Sequence, residues 1–160
     1  PGLGRLYGKA GIARFEEDVL GLHGVTHAIL EIGTNDLGHP GNNGAPESDL
    51  ITPAAYAEAM ASLAEKLRAR NIKAYAATIP PRALIGKFDA LREVLRQEMN
   101  HWIRGAACFD AVLDFDEMLR RNDGKHGMAE GFALPDGLHP SIEGGIHIAK
   151  SIPLGLFGGD

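Results

Sequence analysis

The chain has 160 residues, 44% of them hydrophobic and 23% charged, which is ordinary usage for one globular domain that can bury a core. A formal net charge of −5 argues against nucleic acid as a partner, and no apolar run approaches the roughly 20 residues of a membrane-spanning helix. The single cysteine, Cys108, excludes an internal disulfide and any cysteine-based zinc site, and its surroundings are typical of a small buried side chain.

The amino-terminal part of the sequence predicts a loop, a helix and a strand. Residues 1–8 are rich in glycine and are typical of a loop. The following segment has Ile12, Phe15 and Val19 on one helical face and acidic side chains on the other. Residues 25–33 then form a short apolar run that ends in glycine, which predicts a buried strand.

A loop, a helix and a second strand follow. Residues 33–51 form a loop dense in glycine, asparagine and proline. Thr52 and Pro53 are suited to begin a helix, as its N-cap and its first residue. An apolar stripe on this helix is predicted to lie in the core: Tyr56, Met60, Leu63 and Leu67. Residues 71–78 predict the next strand and residues 79–87 the loop after it.

The remaining sequence repeats this order. A second amphipathic helix is marked by four apolar residues: Phe88, Leu91, Leu95 and Trp102. Residues 109–115 predict a third strand, and residues 116–121 a short helix. A long loop spans residues 122–140, and residues 141–152 predict a closing helix that Ser141 caps.

Strands that alternate with helices predict an α/β fold in which a parallel sheet is covered on both faces. The whole chain, residues 1–160, is interpreted as a single domain. Ligands bind such sheets at the carboxyl ends of the strands. Three loops are therefore candidates for a site: residues 33–51, 79–87 and 122–140.

Gly33, Asn35 and Asp36 follow the first predicted strand directly. The glycine allows a sharp turn and the close approach of a substrate. The asparagine side chain is a neutral donor, which can stabilise an oxyanion without titrating. The alternative interpretation is an ordinary Asn-Asp turn.

Asp136 and His139 lie three residues apart on the last predicted loop. At this spacing the carboxylate can reach the imidazole Nδ1–H, which fixes the tautomer and raises the basicity of Nε2. Gly144 and Gly145 are expected to allow close packing of the closing helix on the sheet. The alternative is a structural turn that happens to hold a histidine.

Other histidines and acidic residues are interpreted as structural. Three histidines lack the spacing of metal ligands, so no metal site is predicted: His39, His126 and His147. His27 is predicted to be packed in the core, and Asp114 and Asp116 to be solvated or to cap a helix.

The combination of Gly-Thr-Asn-Asp after a strand with Asp-x-x-His-Pro before a carboxyl-terminal helix resembles the SGNH (GDSL-type) serine hydrolases. The resemblance covers nearly the whole chain and is carried by residues 13–38, 101–119 and 136–145. It implies a flavodoxin-like three-layer α/β/α sandwich, the SGNH hydrolase fold. It also implies ester hydrolysis through a serine acyl-enzyme, with neither metal nor cofactor.

Roles for individual residues follow from this resemblance alone. His139 corresponds to the general base and Asp136 to the acid that orients it. Asn35 corresponds to the oxyanion-hole asparagine, with Gly33 beside it on the substrate side. The implied partner is a small-molecule, carbohydrate or lipid ester.

The nucleophile of that family has no counterpart here. The family carries its serine in a Gly-Asp-Ser motif after the first strand, and a glycine in a second block donates another oxyanion N–H; neither motif is present. The four serines of the sequence are better explained in other ways: Ser48, Ser62, Ser141 and Ser151. Strands three, four and five of the family's sheet are readable, whereas strands one and two are missing.

The missing strands lead to two expectations. The chain is expected to be the larger part of a hydrolase and inactive by itself. The edge of the strand at residues 25–32 is expected to need cover, from the missing segment or from a second chain. The alternative is a non-catalytic binding or interaction module that kept the fold and lost the serine. Because the sequence begins at Pro1 rather than methionine, secreted and cytoplasmic locations both stay open.

Overall fold

The computed structural model describes three stretches of the chain, residues 9–42, 45–86 and 88–158. At its centre lies a sheet of β1 (His27–Leu30), β2 (Lys73–Ala77) and β3 (Ala111–Leu113), in that order. Both strand pairs are parallel. The carboxyl ends of all three strands therefore meet at one edge of the sheet.

Helices connect and cover the strands, as the sequence predicts. They are α1 (Gly11–Phe15), which continues as a π-helical turn (Glu16–Leu20), α2 (Thr34–Gly38), α3 (Pro53–Arg68), α4 (Ala90–Gly105), α5 (Phe115–Leu119) and α6 (Ile142–Ser151). Short 3₁₀ turns lie at Glu47–Asp49 and Leu154–Leu156. The loop predicted at residues 1–8 lies outside the described residues. Within the part of the chain that the structure covers, no helix is long and apolar enough to cross a membrane.

The main core lies between α3 and one face of the sheet. The predicted stripe of α3 is buried, with every member at most 3% exposed: Tyr56, Met60, Leu63 and Leu67. Leu30, Ala74 and Ala76 contribute to the same cluster from the strands. This stripe is therefore core, as predicted.

The opposite face of the sheet is more open. Strand side chains alternate between faces, so His27 and Tyr75 lie together on this side. Their rings contact Phe157, with centroid separations of 5.7 and 5.6 Å. His27 is only half-buried there, although it was predicted to be a core residue.

Two predicted helix caps are confirmed. Thr52 Oγ1 accepts a hydrogen bond from the Ala55 amide at 3.2 Å and so begins α3. Ser141 Oγ accepts from the Gly144 amide at 3.1 Å and begins α6. Each cap satisfies an amide that the helix leaves without an internal partner.

The predicted loop at residues 33–51 contains more structure than expected. Its first part folds as α2, directly after Gly33. Arg92, from the first turn of α4, donates to the carbonyls of Leu37 and Pro40 at 3.0 and 3.1 Å. These two hydrogen bonds hold the loop against α4. They join residues far apart in the sequence, so local composition does not reveal them.

Three of the four apolar residues predicted to mark the second amphipathic helix lie in or against the core: Phe88, Leu95 and Trp102. Leu91, predicted to mark the apolar side, is 58% exposed. The buried side also carries polar and charged residues, among them Arg92, Arg96 and Asn100. They are buried because hydrogen bonds satisfy them; Asn100, for example, bonds both backbone groups of Ile79.

The solvated or capping role predicted for Asp116 is wrong. Its side chain is fully buried and accepts from Arg96 Nη1 at 2.6 Å and Arg104 Nη2 at 2.8 Å. Asp114 does cap α5, since its carboxylate accepts from the Glu117 amide at 3.1 Å. The two acids are close in sequence but differ because only Asp116 faces the interior.

Strand β1 is less buried than predicted. In the described residues it pairs with β2 alone, so its other edge carries no strand. Ile29 and Ile32 are accordingly 42% and 37% exposed. Leu30 is the buried side chain of this strand.

Candidate active site

Gly33 makes the turn from β1 into α2. Its φ of 118° is a backbone conformation that L side chains rarely adopt. A Cβ at this position would lie 2.6 Å from Ile79 Cδ1 and 3.0 Å from Tyr56 Cε2. Only glycine fits there, and its turn places Asn35 in the first turn of α2 at the carboxyl end of the sheet.

Asp136 and His139 are in direct contact. His139 Nδ1 lies 2.7 Å from Asp136 Oδ2. The other carboxylate oxygen accepts from the backbone amides of Leu138 and His139, at 2.9 and 3.0 Å. The hydrogen bonds from the His139 side chain and from these amides lower the pKa of Asp136 to about 2. The carboxyl group of Asp136 is thus ionised at neutral pH and is hydrogen-bonded to Nδ1 of His139. Nε2 of the same ring is left free to accept a proton.

Backbone hydrogen bonds hold the loop that carries this pair in a closed turn. The Leu134 amide donates to the His139 carbonyl at 2.8 Å, and the Gly137 amide to the Leu134 carbonyl at 2.9 Å. The Ala83 amide, in the loop after β2, donates to the Gly137 carbonyl at 2.9 Å. Two of the three predicted loops are therefore joined by a backbone hydrogen bond beside His139.

Asn35 and His139 line the same cavity of about 280 Å³. Its wall is completed by residues from the three strand ends, from the last loop and from α6: Glu31, Thr34, Pro80, Phe115, Leu138, Pro140 and Ile148. Asp136 is not part of this wall and holds the imidazole from behind. Gly33 is buried below Asn35 and shapes the turn without lining the cavity.

Glu31 is a wall residue that the sequence interpretation missed. It follows β1 directly and shares the cavity with Asn35 and His139. Burial raises the pKa of its carboxyl group. Its position gave a usable signal, because a carboxylate at the end of an apolar strand lies at the edge where ligands bind.

The serines lie elsewhere, and none lines this cavity. Ser48 and Ser62 are exposed, in a 3₁₀ turn and in the middle of α3. Ser141 caps α6 and donates to the Gly131 carbonyl at 2.5 Å. Ser151 donates to the His147 carbonyl at 2.8 Å within α6.

The arrangement can accept a proton and donate hydrogen bonds. Nε2 of His139 is a base whose tautomer is set by a carboxylate, and the amide of Asn35 is a neutral donor across the cavity. Among the described residues, no three histidine, cysteine or acidic side chains lie close enough together to hold a metal ion.

A family model described as "GDSL-like Lipase/Acylhydrolase family" matches residues 5–145. A comparison with curated proteins gives no match.

Solved structures share the fold at low sequence identity. A Bacteroides fragilis protein assigned as an acylhydrolase gives a TM-score of 0.65 at 22% identity, over 87% of this chain and 64% of its own. A GDSL-like lipase from Bacteroides thetaiotaomicron gives 0.65 at 22%, over 88% and 70%. A catalytic mutant of the acetylxylan esterase Axe2 from Geobacillus stearothermophilus gives 0.65 at 20%, over 94% and 67%. These likenesses establish the predicted α/β fold, that of SGNH hydrolases, and the chain spans 64% of the length of the first of these proteins.

Proposed function

The chain belongs to the GDSL-like lipase/acylhydrolase family, and we propose that it supplies the acid–base and oxyanion-binding groups of a carboxylic ester hydrolase. The observation that carries the proposal is the 2.7 Å contact between His139 Nδ1 and Asp136 Oδ2, behind a cavity that His139 shares with Asn35. A base, its orienting acid and an oxyanion donor are the groups that acyl transfer requires.

His139 acts as the general base in this proposal. Its Nε2 takes the proton of a serine hydroxyl while the serine oxygen attacks the ester carbonyl carbon. Asp136 holds Nδ1–H and stabilises the imidazolium that forms. The imidazolium returns the proton to the leaving alcohol, and a water activated by the same Nε2 hydrolyses the acyl-enzyme.

Asn35 stabilises the negative charge of the tetrahedral intermediate. Its side-chain amide is a neutral donor at the cavity wall, so it binds the oxyanion without a change of protonation. Gly33 contributes indirectly, because its turn sets where α2 and Asn35 begin.

The nucleophilic serine is proposed to come from a segment outside these 160 residues. The support is the placement of the chain's own serines, none of which lines the cavity. On this proposal the chain alone does not hydrolyse esters. The same segment, or a second chain, would also supply the strand that covers the open edge of β1.

The substrate is proposed to be a small-molecule, carbohydrate or lipid ester. Structures of the same fold include a GDSL-like lipase and an acetylxylan esterase. The cavity of about 280 Å³ is the part of the substrate site that this chain supplies.

His139→Ala in the full-length protein tests the assignment of the base. Hydrolysis of p-nitrophenyl acetate should fall by roughly 10³-fold or more, because the variant lacks the proposed acceptor of the serine proton. His23→Ala, which removes an exposed histidine outside the cavity, is the matched control and should keep its turnover. Equal turnover of wild type and His139→Ala would rule out the proposed role.

A fluorophosphonate probe separates the enzyme from a non-catalytic module of the same fold. Labelling of a serine in the full-length protein, without labelling of the 160-residue chain, supports the proposal. A full-length protein that resists the probe favours the module that lost its serine.

A further inference from the structure

Glu31 is a cavity residue to which the proposed ester hydrolysis gives no role. It lines the cavity of about 280 Å³ together with Asn35 and His139, directly after the end of β1. Its side chain is exposed, so a molecule in the cavity can reach the carboxylate. Glu31 is therefore placed to contact the substrate beside the base and the oxyanion donor.

The described part of the chain offers this carboxylate no partner. Burial alone raises the pKa of Glu31, with neither a hydrogen bond nor a neighbouring cation to offset it. The phenol of Tyr56 is near, but it donates its one proton to the Ile32 carbonyl at 3.0 Å. Burial and, after it, the charges of Asp36 and Glu31 raise the pKa of Tyr56, so this phenol stays protonated and bound to Ile32. A desolvated carboxylate without donors is unfavourable, and a ligand that donates a hydrogen bond relieves that cost.

The wall of the cavity also provides no fixed positive charge. Among its described residues there is neither lysine nor arginine, and His139 is the one basic side chain. Arg82 interacts electrostatically with Asp136, but it stacks on Phe88, 4.2 Å from the ring centroid, and is not part of the wall. The fixed charge on the wall itself is therefore the carboxylate of Glu31.

We propose that Glu31 makes this cavity selective for esters of neutral alcohols that carry further hydroxyl groups. The inference rests on the proposed ester hydrolysis and adds to it the class of substrate. Hydroxyl groups on the alcohol part donate to the carboxylate and supply the hydrogen bonds that it lacks. The acyl part of a simple ester has no such donor. An anionic alcohol part is disfavoured, because it brings a second negative charge into a cavity whose described wall has no fixed cation.

A pair of acetate esters tests the hydrogen bond. Glycerol 1-acetate has two free hydroxyl groups, whereas 2,3-dimethoxypropyl acetate has the same skeleton without a donor. The full-length protein should show the higher kcat/KM for glycerol 1-acetate. Glu31→Ala should reduce this preference about tenfold, the loss expected for one hydrogen bond to a charged group.

A second pair tests the charge. The esters 4-acetoxybenzoate and 4-acetoxybenzamide both release acetate from a phenol, and only the first is anionic. Glu31→Gln should raise kcat/KM for the anionic ester relative to the neutral one, on the order of tenfold. The intrinsic reactivities of the two esters cancel when the ratio in the variant is compared with that in the wild type.

Matched variants and the ratios themselves separate recognition from other roles. Glu58→Ala and Glu58→Gln remove an exposed carboxylate of α3 outside the cavity wall and should leave both ratios at their wild-type values. If Glu31 only positions the segment that carries the serine, its variants slow both esters of a pair equally. Unchanged ratios would thus overturn this inference and leave the proposed function standing. Failure of the full-length wild type to hydrolyse any of the four esters would overturn the proposed function, and this inference with it.

Discussion

Asp136 is the residue on which the order of the 133–140 loop depends. It accepts from the ring of His139 and from two backbone amides, and these bonds lower its pKa to about 2 from an ordinary value of 3.8. A carboxyl group whose pKa is lower in the folded state stabilises that state above its unfolded pKa. The contribution is therefore complete above about pH 3.8 and is lost as the pH falls through about 2.

We predict that this loop loosens in acid between those two values. Below about pH 3.8, the protection factors of the Leu138 and His139 amides against hydrogen exchange should begin to fall, because a protonated Asp136 accepts these bonds weakly. Asp136→Ala, which removes the acceptor oxygens, should show low protection at these amides already at neutral pH. Protection that stays constant down to about pH 2 would contradict the prediction.

Contacts between side chains that are close in the sequence could be predicted from the sequence. The spacing of Asp136 and His139 allows their contact on a loop, and the structure brings them together. Asp116 was misjudged because its partner Arg96 is twenty residues away and its burial depends on tertiary packing. Glu31 was missed although its position directly after an apolar strand places it at the edge of the sheet where ligands bind.

Within α6, two adjacent glycines give a matched test of helix packing. A Cβ on Gly144 would lie 2.4 Å from the Phe132 carbonyl oxygen, whereas a Cβ on Gly145 meets nothing within 4 Å. Gly144→Ala should therefore destabilise the fold by about 1–3 kcal/mol through overpacking against backbone. Gly145→Ala should be neutral or stabilise by up to about 1 kcal/mol, since alanine favours the helix.

Urea unfolding of the two alanine variants provides the measurement. The midpoint of Gly144→Ala should fall and that of Gly145→Ala should hold or rise. Because both changes add one methyl group to the same helix, helix propensity cannot explain opposite signs. A similar shift in both would show that α6 moves freely relative to the Phe132 backbone.

At the scale of elements, apolar periodicity predicted the whole buried face of α3 but only part of that of α4. The stripe on α3 is apolar and buried. On α4 the buried side includes Arg92, Glu93 and Arg96, which a hydrophobicity pattern assigns to solvent. Charged residues can be buried only where partners exist, and those partners come from distant segments such as Asp116.

For the whole molecule, the order of strands and helices was sufficient to predict the parallel sheet. Three rounds of strand, loop and helix appear in sequence and in structure, and the carboxyl ends of the strands meet at the cavity. The sequence did not reveal how the carboxyl ends of β2 and β3 are held together. There the ends of β2 and β3 are joined through polar contacts, such as that of Thr78 Oγ1 with Asp114 at 3.0 Å.

Arg96 is the centre of that polar connection, and its removal should destabilise the whole fold. It is 2% exposed and donates to Glu93, to Asp116 and to the Ile79 carbonyl, the last at 2.7 Å. Arg96→Met keeps much of the volume but leaves two buried carboxylates short of a partner, which should lower the free energy of unfolding by about 3–5 kcal/mol. Arg14→Met breaks an exposed pair with Asp18 and should change it by less than about 1 kcal/mol. Chemical denaturation of both variants compares them directly, and a loss in Arg96→Met no larger than in Arg14→Met would mean that the cluster contributes little to stability.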